Sequence, residues 1–437
     1  MSPPAETSSA LLTDHYELTM LQASLRSGAA HRRCVFEVFA RRLPDGRRYG
    51  VVAGTGRLLD AIENFCFGEP ELERLAAAGT VDNITLDWLR SYRFGGSVWG
   101  YAEGDCFFPG SPILVVEGTF AEAVLLETVV LSVLNHDCAV AAAASRMTAV
   151  AGDRPCIEMG SRRTHEQAAV AAARAAYVAG FAATSNLEAG RRHGVPTTGT
   201  SAHAFTLLHD DERSAFAAQV ASLGAGTTLL VDTYDVAAAV RMAVEVAGTG
   251  LGAVRLDSGD LLVQAFAVRR QLDELGATGT RIVVTSDLDE HAIAALAAAP
   301  VAGYGVGTSL VTGSGAPTAG LVYKLVARAD AGGGLVGVAK RSTDKMSVAG
   351  RKWAMRRRTA QGVATAEVVG IGRPPVDDGD DRPLMVDLVT DGVIVGREPL
   401  ADARERHVRS RAELPPSALQ LSRGEPVIPT VYEEEHS

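Results

Sequence analysis

The chain has 437 residues, of which 47% are hydrophobic and 22% are charged, and its formal net charge is −10 at pH 7. This balance is typical of a soluble globular protein of two domains, or of one barrel with an appended domain, and its acidity argues against a dedicated surface for nucleic acid or an anionic membrane. Five widely spaced cysteines without a Cys-x-x-Cys pair predict a reducing compartment, with neither a disulfide framework nor a zinc knuckle.

The N-terminal part of the chain contains four segments that predict strands, namely CVFEVFARRLP, YGVVAG, SVWGYAEG and SPILVVEG. The most apolar region starts at Ala123, but Glu127 and the Asn-His-Asp triplet at 135–137 interrupt it, so we do not expect it to span a membrane. The first residues show no basic segment followed by an apolar one, as a signal peptide would. These features predict a cytoplasmic protein without a membrane partner.

Residues 155–310 repeat one pattern, in which a short apolar run is followed by small polar residues and then by an alanine-rich helical stretch. The seven runs are CIEMG, FAATS, TTGTSAH, TLLVDTYD, AVRLDSGD, RIVVTSD and GYGVGTS. Strands that alternate with helices predict a parallel sheet, and seven units fit an irregular (β/α) barrel. The polar clusters follow the carboxyl ends of the strands, which is where a barrel places its active site.

The C-terminal part adds the predicted strands ATAEVVGIG and PLMVDLVTDGVIVG, the second with Asp391-Gly392 as a hairpin turn. We therefore predict an α/β protein with an irregular (β/α) barrel core and a second, mostly antiparallel α+β domain built from both chain ends. The predicted domains are 1–130 together with 355–437, and the barrel at 131–354.

The first candidate site is EMGSRRTHEQ, residues 158–167. Thr164 and Gln167 have the spacing of a capping box, which predicts that a helix starts at Thr164. A helix N-terminus beside Arg162 and Arg163 would form an anion pocket. The alternative is a pair of solvated arginines.

Two further strand ends carry carboxylates. VRLDSGD contributes Arg255, Asp257 and Asp260, and LVDTYD contributes Asp232 and Asp235. Carboxylates near a cation suit a ribose diol or a magnesium ion bound to pyrophosphate, but each aspartate could instead cap the following helix. We favour Asp257 as the functional carboxylate and Asp235 as a plain cap.

The segment GYGVGTSLVTGSGAP, residues 303–317, supplies glycines and hydroxyls that let backbone amides approach a phosphate. No Gly-Lys-Ser/Thr follows, so it is not a Walker loop. In PTTGTSAHAF, His203 stands among small residues, at the mouth of the predicted barrel. There is no spacing of His and Asp for a tight metal cage, so no residue is assigned as a metal ligand and magnesium is expected to be carried by the substrate.

The chain has four lysines, at positions 324, 340, 345 and 352, where a compact ammonium is wanted rather than a guanidinium. None lies in the barrel before Lys324, which argues against a Schiff-base aldolase. We expect the cluster to lie near phosphates. The residues together predict the handling of a phosphorylated sugar, with a non-catalytic nucleotide-sensing barrel as the alternative.

Eight motifs together resemble the nicotinate phosphoribosyltransferase family, and they follow the family order as far as about residue 352. They are LTDHYELTM, FEVFARRLP, EMGSRR, ATSNLEAG, GTSAHAF, VDTYD, VRLDSGD and GVGTSL. The resemblance implies that nicotinate and phosphoribosyl pyrophosphate give nicotinate mononucleotide and pyrophosphate in NAD salvage, with ATP as co-substrate. It also implies a homodimer with shared active sites.

The resemblance assigns His203 as the residue that ATP phosphorylates, and small neighbours would leave room for a phosphorylated imidazole. It implies that Tyr16 stacks on nicotinate from the neighbouring subunit, and that Thr200 and Arg255 contact nicotinate. Asp257 matches a position that contacts the ribose or the ring. We count His203, Arg255 and Asp257 as catalytic.

Further substrate contacts are expected at the phosphate side. Thr308, with Gly305 and Gly307, would hold the phosphate of the ribosyl donor, and Arg162 matches a phosphate-contacting position. Ser286 is also predicted to bind substrate.

Two related enzymes, for nicotinamide and quinolinate, are the alternatives within this chemistry. The nicotinamide enzyme has an aspartate where this chain has Ser185, and a carboxylate there would repel nicotinate. Ala349 replaces the family's proline in the lysine-rich loop DKMSVAGRKW, although Lys345 and Lys352 remain. No cysteine follows Cys156, which excludes the C-terminal zinc module of some relatives.

Overall fold

The computed structural model describes residues 8–340 and 347–433. The chain forms two compact units, of which unit 1 contains Met1–Ala139 and Thr318–Ser437 and unit 2 contains Val140–Pro317. The predicted barrel domain, 131–354, is longer than unit 2 at both ends. On the C-terminal side the reason is pairing, because the strand Leu321–Ala329 lies in a sheet of unit 1, beside the strand Arg33–Ala40.

The strands of the described residues are numbered in chain order. They are β1 (Arg33–Ala40), β2 (Gly50–Val51), β3 (Ser97–Tyr101), β4 (Cys106–Phe107), β5 (Leu114–Thr119), β6 (Cys156–Glu158), β7 (Ala183–Thr184), β8 (Thr228–Leu230), β9 (Ala253–Leu256), β10 (Arg281–Val284), β11 (Gly303–Val306), β12 (Leu321–Ala329), β13 (Leu335–Gly337), β14 (Lys352–Arg358), β15 (Ala364–Ile371), β16 (Arg382–Pro383), β17 (Met385–Thr390), β18 (Val393–Ile394) and β19 (Thr430–Glu433).

The helices are numbered in the same way. They are α1 (His15–Ser27), α2 (Thr55–Glu63), α3 (Glu69–Ala78), α4 (Asn83–Arg90), α5 (Phe120–Val124), α6 (Glu127–Ala151), α7 (Glu166–Val178), α8 (Leu187–His193), α9 (His203–Leu208), α10 (Glu212–Leu223), α11 (Val236–Ala247), α12 (Leu261–Glu274), α13 (Glu290–Ala295), α14 (Thr308–Val311) and α15 (Leu400–Ala412).

Unit 1 is built around a seven-stranded sheet in the order β13-β12-β1-β5-β3-β17-β18, and every neighbouring pair in it is antiparallel. Strands from both chain ends share this sheet, as the sequence predicted. The predicted hairpin turn is also confirmed, because Asp391 and Gly392 have φ values of 45° and 79° and join β17 to β18. Both central residues of a type I′ turn need such positive φ values.

Unit 2 contains a six-stranded parallel sheet in the order β7-β6-β11-β10-β9-β8. Strands β8 to β11 lie side by side in chain order, and so do β6 and β7. The last strand, β11, pairs with the first, β6, as in a closed barrel, but β7 and β8 are not paired, so the ring has one opening. The sheet is therefore a curled half-barrel. The predicted fold class, a parallel barrel-like core with a mostly antiparallel second domain, is confirmed.

Two local predictions for this unit were wrong. The run TTGTSAH forms no strand, since only Thr197 pairs, through a single bridge to Thr184. Residues 196–200 are exposed and small, so they have little apolar surface to bury in a sheet. The helix expected to start at Thr164 begins at Glu166 instead, because the ring of His165 accepts a bond from the Gln167 amide and caps it.

The apolar region from Ala123 forms helical structure over Phe120–Ala151 that is long and apolar enough to cross a membrane. In its most apolar window, however, 67% is buried within the protein. This burial is what a core helix shows, in agreement with the prediction that the segment does not span a membrane.

Candidate active site

The site predicted from the sequence is assembled from loops at the carboxyl ends of the unit 2 strands. Because all six strands are parallel, these loops all emerge at the same end of the sheet. The predicted residues on these loops and strands of unit 2 are Arg162, Ser185, Thr200, His203, Arg255, Asp257, Ser286, Gly305, Gly307 and Thr308. Tyr16 lies on α1 in unit 1.

His203 is the first residue of α9, and its side chain is 39% exposed. Its Nδ1 lies 3.2 Å from the hydroxyl oxygen of Thr233. Its Nε2 lies 3.9 Å from Asp232 Oδ1 and 3.8 Å from Asp257 Oδ2. The threonine holds one ring nitrogen, while the other faces two carboxylates at more than hydrogen-bond distance and stays open to a reactant.

Asp232 follows β8, and its side chain is 2% exposed. Its Oδ2 accepts hydrogen bonds from the Asp257 amide at 3.0 Å and from the Ser258 hydroxyl at 2.6 Å. Its Oδ1 is buried and has no hydrogen-bond partner among the described residues. A buried carboxylate oxygen without a partner is costly, so this atom is a natural contact for a donor or cation that arrives with a substrate.

Asp232 lies beside His203 and Asp257, although sequence reasoning left it without a role. It stood in the same motif as Asp235, and the only signal that separates them is position, because Asp232 directly follows the buried run of the strand. Asp235 caps α11 through the Ala238 amide, as predicted. Asp260 caps α12 through the Val263 amide.

Arg255 connects several parts of the site. Its Nη1 donates to the Thr200 hydroxyl at 2.7 Å and to the Ser201 carbonyl at 3.1 Å. Its Nε donates to the Thr285 hydroxyl at 3.2 Å, and its Nη2 lies 3.5 Å from Asp257 Oδ2. The guanidinium therefore links β9 to the turn after β10 and to the segment before α9.

A buried carboxylate organises the ends of β6 and β7. Glu158 is fully buried, and its side chain accepts bonds from the Gly160 amide and the Thr184 hydroxyl. Burial raises the pKa of this carboxyl above its ordinary value. The Ser185 amide donates to the Glu158 carbonyl at 2.8 Å, so the serine is fixed by the neighbouring strand.

Arg162 and Arg163 are exposed, and neither forms an ion pair with any residue in 8–340 or 347–433. The turn that carries them packs tightly, because a Cβ on Gly160 would lie 2.2 Å from a methyl carbon of Val311. Two free guanidinium groups on a fixed turn suit the binding of a phosphate or pyrophosphate.

The glycine-rich segment begins inside β11. Gly305 is buried, and a Cβ there would lie 2.4 Å from Thr285 Cγ2 and 2.7 Å from the sulfur of Met159. Thr308 is exposed at the start of α14. Ser286, in the turn after β10, has a φ of 113°.

Tyr16 is 44% exposed on α1. Partial burial and the negative charges of Glu127, Glu17 and Asp14 raise the pKa of its phenol to about 12, so the ring carries a neutral hydroxyl. Lys324 Nζ lies 3.6 Å from Glu127 Oε1.

The remaining lysines differ in exposure. Lys352 is fully buried, and its ammonium donates to Glu37 Oε2 and to the Val348 carbonyl, both at 2.7 Å. It is therefore not free to bind a phosphate, against the expectation for the lysine cluster. Lys340 is exposed, and Lys345 lies outside the described residues.

One group of three carboxylates in the described ranges lies close enough to meet a cation, and two further carboxylates face one imidazole at the site in unit 2. Asp377, Asp378 and Asp381 offer oxygens within 4.8 Å of one another, but Arg357 lies 3.3 Å from Asp378 and 3.2 Å from Asp381 and offsets part of the group's negative charge. In unit 2, Asp232 Oδ1 and Asp257 Oδ2 face one imidazole nitrogen. Their oxygen donors fit a magnesium ion that enters with a phosphorylated substrate.

Comparison with known proteins gives consistent results. Residues 11–135 match the model of the nicotinate phosphoribosyltransferase N-terminal domain. A Mycobacterium tuberculosis protein named nicotinate phosphoribosyltransferase pncB1 is 59% identical over 98% of this chain and 96% of its own length. A second protein of that organism, nicotinate phosphoribosyltransferase pncB2, is 39% identical over 94% and 89%. The crystal structure of human nicotinic acid phosphoribosyltransferase superposes with a TM-score of 0.82 at 25% identity, covering 96% of this chain and 97% of that one.

Proposed function

This chain belongs to the nicotinate phosphoribosyltransferase family, and from that membership we propose that it joins nicotinate to the phosphoribosyl group of phosphoribosyl pyrophosphate. The ring nitrogen of nicotinate forms a bond with the anomeric carbon while the bond from that carbon to pyrophosphate breaks. The products are nicotinate mononucleotide and pyrophosphate. We further propose that ATP hydrolysis assists the reaction, which is the first step of NAD salvage from nicotinate.

The observation that carries this proposal is the convergence of His203, Asp232, Asp257 and Arg255 at the carboxyl ends of β8 and β9. Arg255 compensates the carboxylate of nicotinate, with Thr200 beside it. Asp257 contacts the ribose or the ring. At the carboxyl ends of β6 and β11, Arg162, Gly307 and Thr308 hold the phosphates of the ribosyl donor.

The reaction needs no strong general base, because the pyridine nitrogen of nicotinate is unprotonated at neutral pH. Catalysis then consists of aligning this nitrogen with the anomeric carbon and stabilising the negative charge of the leaving pyrophosphate. Magnesium carried by the donor neutralises part of that charge. The exposed guanidinium groups of Arg162 and Arg163 supply the protein's share of positive charge.

His203 is proposed as the phosphoryl acceptor from ATP. The bond between the γ-phosphorus and its bridging oxygen breaks, a bond from Nε2 to phosphorus forms, and ADP leaves. Water later hydrolyses the phosphohistidine to free phosphate. The contact from Nδ1 to Thr233 supports this role, because it leaves Nε2 without a hydrogen bond to any described residue.

The substrate is proposed to be nicotinate rather than nicotinamide or quinolinate. Ser185 favours nicotinate over nicotinamide, because it is a neutral hydroxyl where a carboxylate would repel the nicotinate anion, and quinolinate is distinguished by the assay below. Tyr16 is proposed to complete the site from the neighbouring subunit of a homodimer, and its exposed ring on α1 is free to stack there.

Pyrophosphate release tests the proposed function. The protein with nicotinate, phosphoribosyl pyrophosphate, ATP and magnesium should release pyrophosphate, whereas nicotinamide or quinolinate in place of nicotinate should give little. A non-catalytic nucleotide sensor would release none with any of the three, and that result would contradict the proposal.

The phosphohistidine is tested by substitution. Incubation with γ-labelled ATP and magnesium should give an acid-labile adduct that His203→Asn abolishes. His209→Asn is the matched control, because His209 directly follows α9 and its ring Nδ1 bonds to the Phe205 carbonyl at 2.8 Å, and this variant should label normally. Labelling that survives in His203→Asn would refute the assignment.

A further inference from the structure

Thr285 lies between the two charged groups of the site. It follows β10 and is 4% exposed. Its hydroxyl accepts a bond from Arg255 Nε at 3.2 Å and donates its single proton to Asp257 Oδ1. The Leu256 carbonyl, at 3.5 Å, is the more distant acceptor.

The direct contact between Arg255 and Asp257 is loose. Their closest charged atoms, Nη2 and Oδ2, lie 3.5 Å apart, whereas a charge-assisted hydrogen bond spans about 2.7–2.9 Å. The pair therefore does not fix its own geometry. The Thr285 hydroxyl bonds to both partners and sets the position of each relative to the other.

The methyl group of Thr285 is confined on its other side. It occupies the space left by Gly305, where a Cβ would lie 2.4 Å from Thr285 Cγ2. A β-branched side chain held by packing at one branch has one χ1 position, and this position aims the hydroxyl at the two charged groups.

We propose that Thr285 is a positioning residue for the phosphoribosyl transfer, acting through Arg255 and Asp257 without touching the substrate. This inference rests on the proposed function. Its effect extends along the chain, because Arg255 also bonds to Thr200 and Ser201, directly before the helix that begins with His203. One buried hydroxyl thus aligns groups from strand β9, the loop after it and the segment before α9.

Three substitutions separate the hydroxyl from the methyl group. Thr285→Val keeps the shape and loses the hydroxyl, Thr285→Ser keeps the hydroxyl and loses the methyl, and Thr285→Ala loses both. Misplacement of the two charged groups should lower kcat/KM for nicotinate about 10- to 100-fold in Thr285→Val and Thr285→Ala. Thr285→Ser should stay within about threefold of the wild type, because the bonds to Arg255 and Asp257 still hold the hydroxyl when the methyl group is lost.

Thr280→Val is the matched control. Thr280 precedes the same strand at its opposite end, is 1% exposed, and donates its hydroxyl to the Leu251 carbonyl at 2.9 Å. This variant should lower the melting temperature as much as Thr285→Val does, with kcat/KM unchanged. Loss of a buried hydroxyl would then account for the melting temperature but not for the loss of activity.

The outcomes are distinct. A wild type that releases no pyrophosphate from nicotinate and the donor contradicts the proposed function itself. An active wild type with equally active Thr285→Val, or with Thr285→Ser as impaired as Thr285→Ala, overturns the role of the hydroxyl. Should Thr285→Val fail to fold, the pair Thr285→Ser and Thr285→Ala decides the question, because the two differ in the hydroxyl alone.

Discussion

Ser286 is held in a backbone conformation that a serine seldom adopts. Its φ of 113° lies in the region that favours glycine, and the Leu288 amide donates to its carbonyl at 2.8 Å within the same turn. Such a conformation costs on the order of 1–3 kcal/mol and occurs most often at functional sites. We relate the strained turn at Ser286 to the neighbouring Thr285, whose hydroxyl must reach both Arg255 and Asp257.

Replacing Ser286 by glycine should therefore stabilise the protein. The strain that is relieved exceeds the extra chain entropy of glycine, so the free energy of unfolding should rise by about 1 kcal/mol in urea denaturation. Ser222→Gly, at the end of α10, should be neutral or destabilising, because a helical position gains nothing from glycine. A loss of stability in Ser286→Gly would show that the serine is unstrained.

At the scale of elements, Glu17 joins α1 to the first turn of α6, and both of these segments lie in unit 1. This residue of α1 is fully buried, and its carboxylate accepts the Thr128 amide at 2.9 Å together with the hydroxyls of Thr128 and Thr13. The Thr128 amide belongs to the first turn of α6, where no intrahelical acceptor exists. One helix thereby supplies the cap of another.

The burial of the Glu17 carboxyl predicts a pH dependence of stability. Burial raises the pKa of Glu17 from 4.5 to about 7, so the folded state binds the proton more tightly than the unfolded state does. Its contribution is fully present below the unfolded pKa and is lost as the pH rises through the folded pKa, a change of up to about 3 kcal/mol.

Glu17→Gln should flatten the unfolding free energy between about pH 5 and pH 8, because the amide removes the titrating group and keeps the shape. Glu405→Gln, on the exposed face of α15, should keep the wild-type slope. Equal slopes in the wild type and Glu17→Gln would contradict the assignment.

The sequence predicted correctly those helices and strands whose formation depends on residues within the segment itself. Alternating apolar runs and alanine-rich stretches define β8–β11 and α10–α12, because burial and helix propensity act within each segment. The segment TTGTSAH follows the same rhythm, yet strand formation there requires a neighbour along its whole length, and only Thr197 finds one. The composition of a segment does not show whether a distant segment will pair with it.

At the scale of the whole molecule, the sequence placed His203, Arg255 and Asp257 on one side of a barrel, and the half-barrel brings them together. It could not single out Asp232 or Thr285. Both are ordinary polar residues at strand ends, and their place in the site depends on burial and on partners 25–30 positions away in the chain.

The four lysines offer a test of burial in one region of the chain, since all of them lie between residues 324 and 352 and the other basic residues among the 42 are arginines. Acylation of the native protein should modify Lys340 readily and leave Lys352 unmodified, because the Lys352 ammonium is buried against Glu37. In denaturant, mass spectrometry should find both modified. Equal native labelling would show that the buried pair opens freely.

The opening between β7 and β8 has a consequence for association. A ring that does not close leaves two edge strands, which are templates for pairing with another chain. Here β7 has two residues and β8 has three. Gln219 donates to the outward Thr228 carbonyl at 2.9 Å, and residues 196–198 bond to both main-chain groups of Thr184. Edge strands this short, with main-chain groups already bonded, offer an incoming strand few free N–H and C=O groups. The half-barrel can therefore stay open without pairing with another chain at its edges.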